Sequence, residues 1–347
     1  MAESIPTDAR ALAALRWARE RTGSATLELA PAASDASFRR YLRLQGTPDL
    51  LLMDSPPAQV PLEPWLQVGR LLSSAGLRVP KVEHTDVEQG FALIEHLGDA
   101  LYQHRLNADS ADPLYGRALE ALLRMQRALP ASAVPVYEHA RFEMELELMP
   151  TWFLHRHLGQ VPECEQWDPI ESAFRLLLDN AMAQPQVFVH RDFHSRNLLD
   201  CAPGPGIIDF QDALGGPQTY DLVSLLRDCY LRWDDARIEG WAEDYRRELV
   251  RAGMIADAPQ RFRRAFDLMG LQRHIKVLGL FCRLHYRDGK PGYLADLPRV
   301  LGYVLDVADA YPELREFAAL LRRFTAGVDL SQPRSEAAMA DREPPAA

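Results

Sequence analysis

The sequence predicts an α+β protein in two lobes: a small antiparallel sheet carrying one helix, then a larger, mainly helical lobe. Three observations predict it. Strand-like runs crowd the chain ahead of Gly98, and helical periodicity takes over after it. The length of 347 residues suits about two units of ordinary size. A composition of 47% hydrophobic and 25% charged residues is that of a globular chain with a core. It excludes a largely disordered chain, a collagen-like repeat and a disulfide scaffold.

Each element follows from its own residues. Leu12, Leu15 and Ala18 recur at helical spacing within 8–20, and Gly23 ends that helix. Segments 25–30, 37–44 and 49–53 read as strands, and the turn QGTP joins the second to the third as a hairpin. Pro64 suits the first turn of a helix that runs to about Ser74. Segments 79–85 and 90–95 are two more strands. Beyond Gly98, residues 113–129, 141–158, 167–183, 218–232, 236–252, 257–287 and 293–325 carry helical patterns. Only the short strands 187–189, 198–200 and 206–208 interrupt them. The expected division is 1–97 for the sheet lobe, 98–328 for the helical lobe and 329–347 for a Pro-, Ala- and charge-rich disordered tail. No internal repeat is found.

Charge and cysteine usage narrow the function classes. With 39 Lys and Arg against 49 Asp and Glu, the net charge is −10, so the global basic footprint of a duplex nucleic-acid binder is missing. Cys164, Cys201, Cys229 and Cys282 are widely scattered, form no CxxC pair and suit a reducing cytoplasm. The N-terminal stretch has no signal-peptide pattern, and no apolar run is long enough for a transmembrane helix. A cytoplasmic protein is expected, with no nucleic acid, membrane or obligate protein partner evident.

The chemistry concentrates in residues 190–212, HRDFHSRNLLDCAPGPGIIDFQD. A strand runs into His190-Arg191-Asp192, Asn197 follows, and a hairpin turned by Pro203, Gly204, Pro205 and Gly206 leads to Asp209 and Phe210. This is the H-x-D-x-x-x-x-N … D-F pattern of kinase-type phosphoryl transfer. Such transfer requires one carboxylate beside the attacking hydroxyl and hard oxygen ligands for Mg²⁺. Asp192 fits the first role, and Asn197 and Asp209 fit the second. A competing reading, zinc held by His190 and His194, would need a helix where the pattern is a strand end, and there is no HExxH.

The segment resembles the aminoglycoside phosphotransferase/choline kinase-like family, which has a protein-kinase-like fold; the likeness extends over about residues 8–325. More narrowly, SDASFRRY (34–41), LLMDSPP (51–57), GFALIEHLGD (90–99), ELMPTWFLHRHLG (147–159), HRDFHSRNLL and IDFQDALGGPQTYDLVSLLRDCY resemble the bacterial anomeric N-acetylmuramate/N-acetylglucosamine kinases of cell-wall recycling. The resemblance implies ATP and Mg²⁺ as cofactors and an amino sugar as partner. It also implies that Asp221 braces the catalytic loop, with His190 in a structural role. Asp221 is equally a plain helix-start acid favoured by the dipole.

On the nucleotide side, Ser34, Asp35, Ala36 and Ser37 occupy the place of the kinase phosphate loop, where small residues let backbone N–H groups approach a phosphate. The third strand, where kinases keep a lysine, reads Leu51-Leu52-Met53-Asp54, and Lys81 is the only lysine before the catalytic loop. Strand alternation puts Arg39 and Arg43 on one face with Tyr41, and Arg40 on the other with Leu42. One of these arginines is expected to supply the phosphate-facing charge. Glu63 then has no lysine to pair with. Glu95 and Leu97 fall in the hinge-like stretch, whose backbone would meet adenine.

On the acceptor side, Glu147, Trp152, His194, Arg196, Asp212 and Arg227 are the candidates. Their mixture of Arg and His with acids suits a neutral or carboxylate-bearing amino sugar better than a polycation. The expected activity is ATP-dependent phosphorylation of the anomeric hydroxyl of N-acetylmuramate or N-acetylglucosamine. The alternatives are an aminoglycoside or other small-alcohol phosphotransferase of the same fold, or a nucleotide-binding pseudokinase.

Overall fold

The computed structural model describes residues 8–30 and 38–334. The candidate phosphate turn, Ser34, Asp35, Ala36 and Ser37, lies outside the described residues, as does the chain from 335 on. The chain groups into two compact units, Met1–Leu129 with Ser195–Ala213, and Pro130–His194 with Leu214–Ala347.

The first unit begins with helix α1 (Ala9–Thr22). The Asp8 side chain caps it by accepting from the N–H groups of Arg10 and Ala11, and Gly23 closes it in the left-handed conformation. Five antiparallel strands follow: β1 (Glu28–Ala30), β2 (Arg40–Gln45), β3 (Leu50–Asp54), β4 (Val82–Asp86) and β5 (Phe91–Glu95), in the order β1-β2-β3-β5-β4. Helix α2 (Glu63–Ser74), with Pro64 in its first turn, connects β3 to β4. One sheet face packs on α1: Leu29, Leu42, Leu44, Leu52, Phe91 and Leu93 meet Ala11, Ala14, Leu15, Trp17 and Ala18. Leu12, expected on that face, is 48% exposed, because the alanines and Trp17 fill the contact. Helices α3 (Tyr102–Arg105) and α4 (Ala111–Ala128) and the hairpin of β7 (Leu198–Asp200) and β8 (Pro205–Ile207) complete the unit.

The second unit is mainly helical. Its helices are α5 (His139–Leu146), α6 (Cys164–Ala183), α7 (Tyr220–Leu226), α8 (Asp235–Arg251), α9 (Pro259–Tyr286), α10 (Leu297–Ala310) and α11 (Arg315–Thr325). It also holds a short ribbon of β6 (Gln186–Val189) with β9 (Leu214–Pro217). β9 was not expected; two glycines and a proline hide its strand character. The segment 141–158 is not one α-helix: after α5 it widens into a π-helical stretch, Met149–Leu158, where Pro150 supplies no N–H to the regular ladder. The central helix α9 crosses beside this stretch at Gly279, where a Cβ would come within 2.1 Å of the Leu148 carbonyl carbon. Only glycine permits that approach. The helix expected over 218–232 stops at Leu226. The one expected over 293–325 is broken at Tyr311, which is extended because Pro312 follows it.

Together these features make an α+β fold with an antiparallel-sheet part bearing an inserted helix and a larger helical part, as the sequence predicts.

Candidate active site

The second unit carries the H-R-D turn. β6 ends at Val189, and the chain turns sharply through His190, Arg191 and Asp192. The turn is held from below by Asp221 at the start of α7. Its carboxylate accepts from the His190 N–H at 2.6 Å and from the Arg191 N–H at 3.0 Å. Arg191 adopts φ 76°, a conformation that non-glycine residues rarely take unless surrounding bonds enforce it. The Asp192 N–H donates to His190 Nδ1 at 3.3 Å, and the buried His190 ring packs edge-on against Phe193. Burial pushes the Asp221 carboxyl up to about 7, while its two backbone donors pull the other way.

Beneath Asp192 is a charged cluster that local sequence does not suggest. The Arg191 guanidinium donates to Glu145 Oε1 at 2.7 Å. Lys276 Nζ, from the middle of α9, donates to the same oxygen at 3.0 Å and to the Tyr220 hydroxyl at 3.3 Å. The Tyr137 hydroxyl donates to Glu145 Oε2, and the Arg191 guanidinium lies over the Tyr137 ring at 5.4 Å. Desolvation pushes Asp192 up, but the charge of Lys276, followed by those of His194, Arg191 and Arg273, outweighs it and holds the carboxyl below its ordinary value. Asp192 is thereby kept as a carboxylate, the form able to take a proton.

The first unit carries the Asn197 and Asp209 pair. The β7–β8 hairpin carries Asn197 and Asp209 at its two feet. Its anchors are internal to that unit: Ile207 N–H donates to the Arg78 carbonyl at 2.8 Å, and Asp200 N–H to the Ala100 carbonyl at 2.7 Å. The Ile208 N–H donates to the Asn197 carbonyl at 3.1 Å, and Asn197 Nδ2 approaches Asp209 Oδ2 at 3.4 Å. Asp209 has φ 60°, a second strained non-glycine residue at the site, and Gln211 Nε2 donates to its Oδ1 at 2.8 Å. Phe210 anchors this turn against α2: its ring meets Trp65 at 5.1 Å and lies 3.3 Å from where a Cβ on Gly69 would be. A carboxylate and a carboxamide are brought together here, and their hard oxygens would suit Mg²⁺.

The candidate nucleotide residues separate by sheet face. Arg40 lies on the α1 side, bound to the buried Asp54 at 2.5 Å and to Asp8 at 2.5 Å. On the opposite face, Arg39 is buried with Nε donating to Ser55 Oγ at 3.2 Å, and Arg43 pairs with Asp99. Glu95 is clasped by Arg78 at 2.5 and 2.7 Å, so its side chain ties β5 to the segment before β4. Leu97 packs on β8 beside Gly206.

The acceptor candidates are scattered. The His194 ring meets Tyr230 at 5.5 Å, two residues beyond Asp192. Arg196 donates to Gln103 Oε1 at 3.0 Å in the first unit, where Asp212 is exposed beside Gln211. Trp152 is half-buried on the π-helical stretch. Glu147 is exposed, and desolvation with the like charges of Glu143 and Glu171 pushes its carboxyl up. It is Glu145, two residues earlier, that reaches the catalytic loop. Arg227 turns to Asp267 at 2.6 Å and stacks over Phe266 at 4.8 Å, lining a cavity of about 350 Å³ with Glu239, Glu243 and Arg263. Sequence reading overlooked Glu145 and Lys276. The one available signal was that the chain has only three lysines and Lys276 sits in an otherwise apolar stretch of α9.

Residues 28–263 match the phosphotransferase enzyme family. A Pseudomonas putida protein named N-acetylmuramate/N-acetylglucosamine kinase is 43% identical over 313 residues, covering 90% of this chain and 91% of its own. A Pseudomonas aeruginosa protein of the same name is 43% identical, covering 87% and 90%. Among solved structures, the GDP complex of aminoglycoside 2'-phosphotransferase-IIIa superposes with a TM-score of 0.60 at 15% identity, covering 86% of this chain and 99% of that one. With a strained H-R-D turn, an N/D pair on a hairpin and this extent of similarity, the chain belongs to the phosphotransferase enzyme family.

Proposed function

We propose that the protein is a kinase that transfers the γ-phosphoryl group of ATP to the anomeric hydroxyl of N-acetylmuramate and N-acetylglucosamine, giving the sugar 1-phosphate and ADP. The observation that carries this reading is the 43% identity to the Pseudomonas putida kinase of that name, sustained over nine-tenths of both chains. The anomeric position and a role in reuse of cell-wall sugars rest on the motif resemblance. No helix among the described residues is long and apolar enough to cross a membrane, and the four cysteines are free thiols, which supports a reducing, cytoplasmic setting.

Asp192 orients the acceptor hydroxyl and takes its proton as the oxygen attacks the γ-phosphorus and the bond to ADP breaks. The cations around it keep it ionised for that task, and Asp221 fixes the turn that presents it. Asn197 and Asp209 would hold Mg²⁺, which when bound neutralises charge on the phosphate oxygens. Ser34, Asp35, Ala36 and Ser37 cover the phosphates through backbone N–H groups. Arg39 and Arg43, on the sheet face away from α1, supply the cationic charge for which other kinases use a third-strand lysine. The backbone near Glu95 and Leu97 meets the adenine. Residues 1–97 form the nucleotide side, and 98–328 carry catalysis and the acceptor. Of the acceptor candidates, His194 is supported by its position beside Asp192 and its contact with Tyr230.

An ADP-release assay with N-acetylmuramate, N-acetylglucosamine, an aminoglycoside and choline tests the reading. Turnover is expected with the two N-acetylated sugars. Turnover with only the aminoglycoside or choline, or nucleotide binding without turnover on any of the four, contradicts it.

A further inference from the structure

Asp209 and its neighbours form a compact polar group within the first unit. Where the D-F-G pattern of kinases carries a glycine, this chain carries Gln211, so a carboxamide stands two residues from Asp209. The turn that presents it is firmly held. Phe210 packs on Trp65 at 5.1 Å and beside Gly69 of α2, and the Ala213 N–H donates to the Phe210 carbonyl at 3.2 Å.

The orientation of the Gln211 amide follows from its partners. Nε2 donates to Asp209 Oδ1 at 2.8 Å and approaches Asp212 Oδ2 at 3.4 Å. Both partners are carboxylates, which only accept when ionised, so the amide turns its nitrogen to them and its oxygen away. On the other side of Asp209, Asn197 Nδ2 approaches Oδ2 at 3.4 Å. One carboxylate is thus bracketed by two amides. Gln211 Oε1, however, is shut off from solvent and accepts no hydrogen bond among the described residues. A buried carboxamide oxygen without a donor is costly to keep.

The place of that oxygen narrows what can satisfy it. Within one amide the oxygen and nitrogen are about 2.2 Å apart, so Oε1 stays close to the carboxylate that Nε2 touches. Mg²⁺ gives up its waters reluctantly and keeps several of them when bound, and water on a dication is a stronger donor than bulk water. Groups that accept from such waters and hold the ligating carboxylates tune ion affinity.

We propose that Gln211 is a positioning residue of the divalent-cation site: its amide nitrogen holds Asp209 Oδ1, and its Oε1 accepts from a water in the hydration shell of a bound Mg²⁺. This deepens the reading of Asn197 and Asp209 as the metal-holding pair and rests on it. It also accounts for a neutral amide at this position. Glutamate would place a third negative charge beside Asp209 and Asp212 when the ion is away, and glycine would supply neither the donor nor the acceptor.

Titration of Mn²⁺ into the full chain with ADP, followed by the electron paramagnetic resonance of free Mn²⁺, reads ion binding without sugar or turnover. Gln211→Met, similar in size but without the amide, is expected to bind Mn²⁺ roughly 10–100-fold more weakly, the effect of losing a group that supports metal ligands. Gln211→Ala is measured alongside with the same expectation. Gln211→Glu keeps an acceptor oxygen and should bind Mn²⁺ more tightly than either. Calorimetric affinity for ADP with the ion chelated should not change, which a merely structural role would not ensure. Unchanged Mn²⁺ affinity in the Met and Ala variants overturns the proposal, as does an equal loss of metal-free ADP binding, or a Gln211→Glu that binds as weakly as the other two. In those cases the reading of Asn197 and Asp209 stands. If wild type binds no Mn²⁺ in the presence of ADP, that reading falls and the proposal with it. Thermal melting of the metal-free variants near the wild-type midpoint shows that the fold is intact.

Discussion

At the scale of single residues, the account turns on how Asp192 is kept charged. Its carboxylate sits where desolvation opposes ionisation, and Lys276 is the foremost of the charges that reverse the balance. Replacing Lys276 by Met removes that cation and one partner of the buried Glu145. The acid limb of the kcat–pH profile should move to higher pH, because Asp192 then holds its proton longer. Stability should fall by about 3 kcal/mol or less, since Arg191 still holds Glu145. The pH profile separates this role from a merely structural one: a loss of stability with an unmoved acid limb contradicts it. Asp192, Asn197 and Asp209 could be read in the sequence because they fall within one short stretch with fixed spacing. Lys276 and Glu145 could not, because their pairing joins residues 131 apart in the chain and each alone looks like an ordinary helix residue.

At the scale of elements, the α1 cap links local sequence to the sheet. Asp8 accepts from two N–H groups of α1 and also pairs with Arg40 of β2. Arg40 holds the Asp8 carboxyl down at about 2, from an ordinary 3.8. A depressed folded-state value means that the stabilisation is fully present above the unfolded value and is lost as pH falls through about 2. Asp8→Ala should therefore cost about 1 kcal/mol at neutral pH, and the gap between variant and wild-type melting points should close as pH drops toward 2. A gap that persists in strong acid would place the effect elsewhere. Elements with strong periodicity or caps, such as α1, α2 and α9, could be read from sequence nearly to their ends. β9 could not, since Gly215, Gly216 and Pro217 carry no strand propensity and pair only because β6 lies alongside. The π-helical stretch and the break before Pro312 were lost for a related reason: apolar spacing continues through both, while the hydrogen-bond ladder does not.

At the scale of the whole molecule, the catalytic segment passes from one compact unit into the other between His194 and Ser195. Asp192 is fixed by helices of the second unit, and Asn197 and Asp209 by strands and α2 of the first. The overall charge of −10 describes the surface and gives little guide to the acceptor. The most direct test of the central claim is phosphorus NMR of the product formed from Mg-ATP and N-acetylmuramate by wild type and by Asp192→Asn. The account predicts a phosphate resonance coupled to the anomeric proton with wild type, formed roughly 10²–10⁴-fold more slowly by the variant. A phosphate on any other hydroxyl, or equal rates for the two proteins, would contradict it.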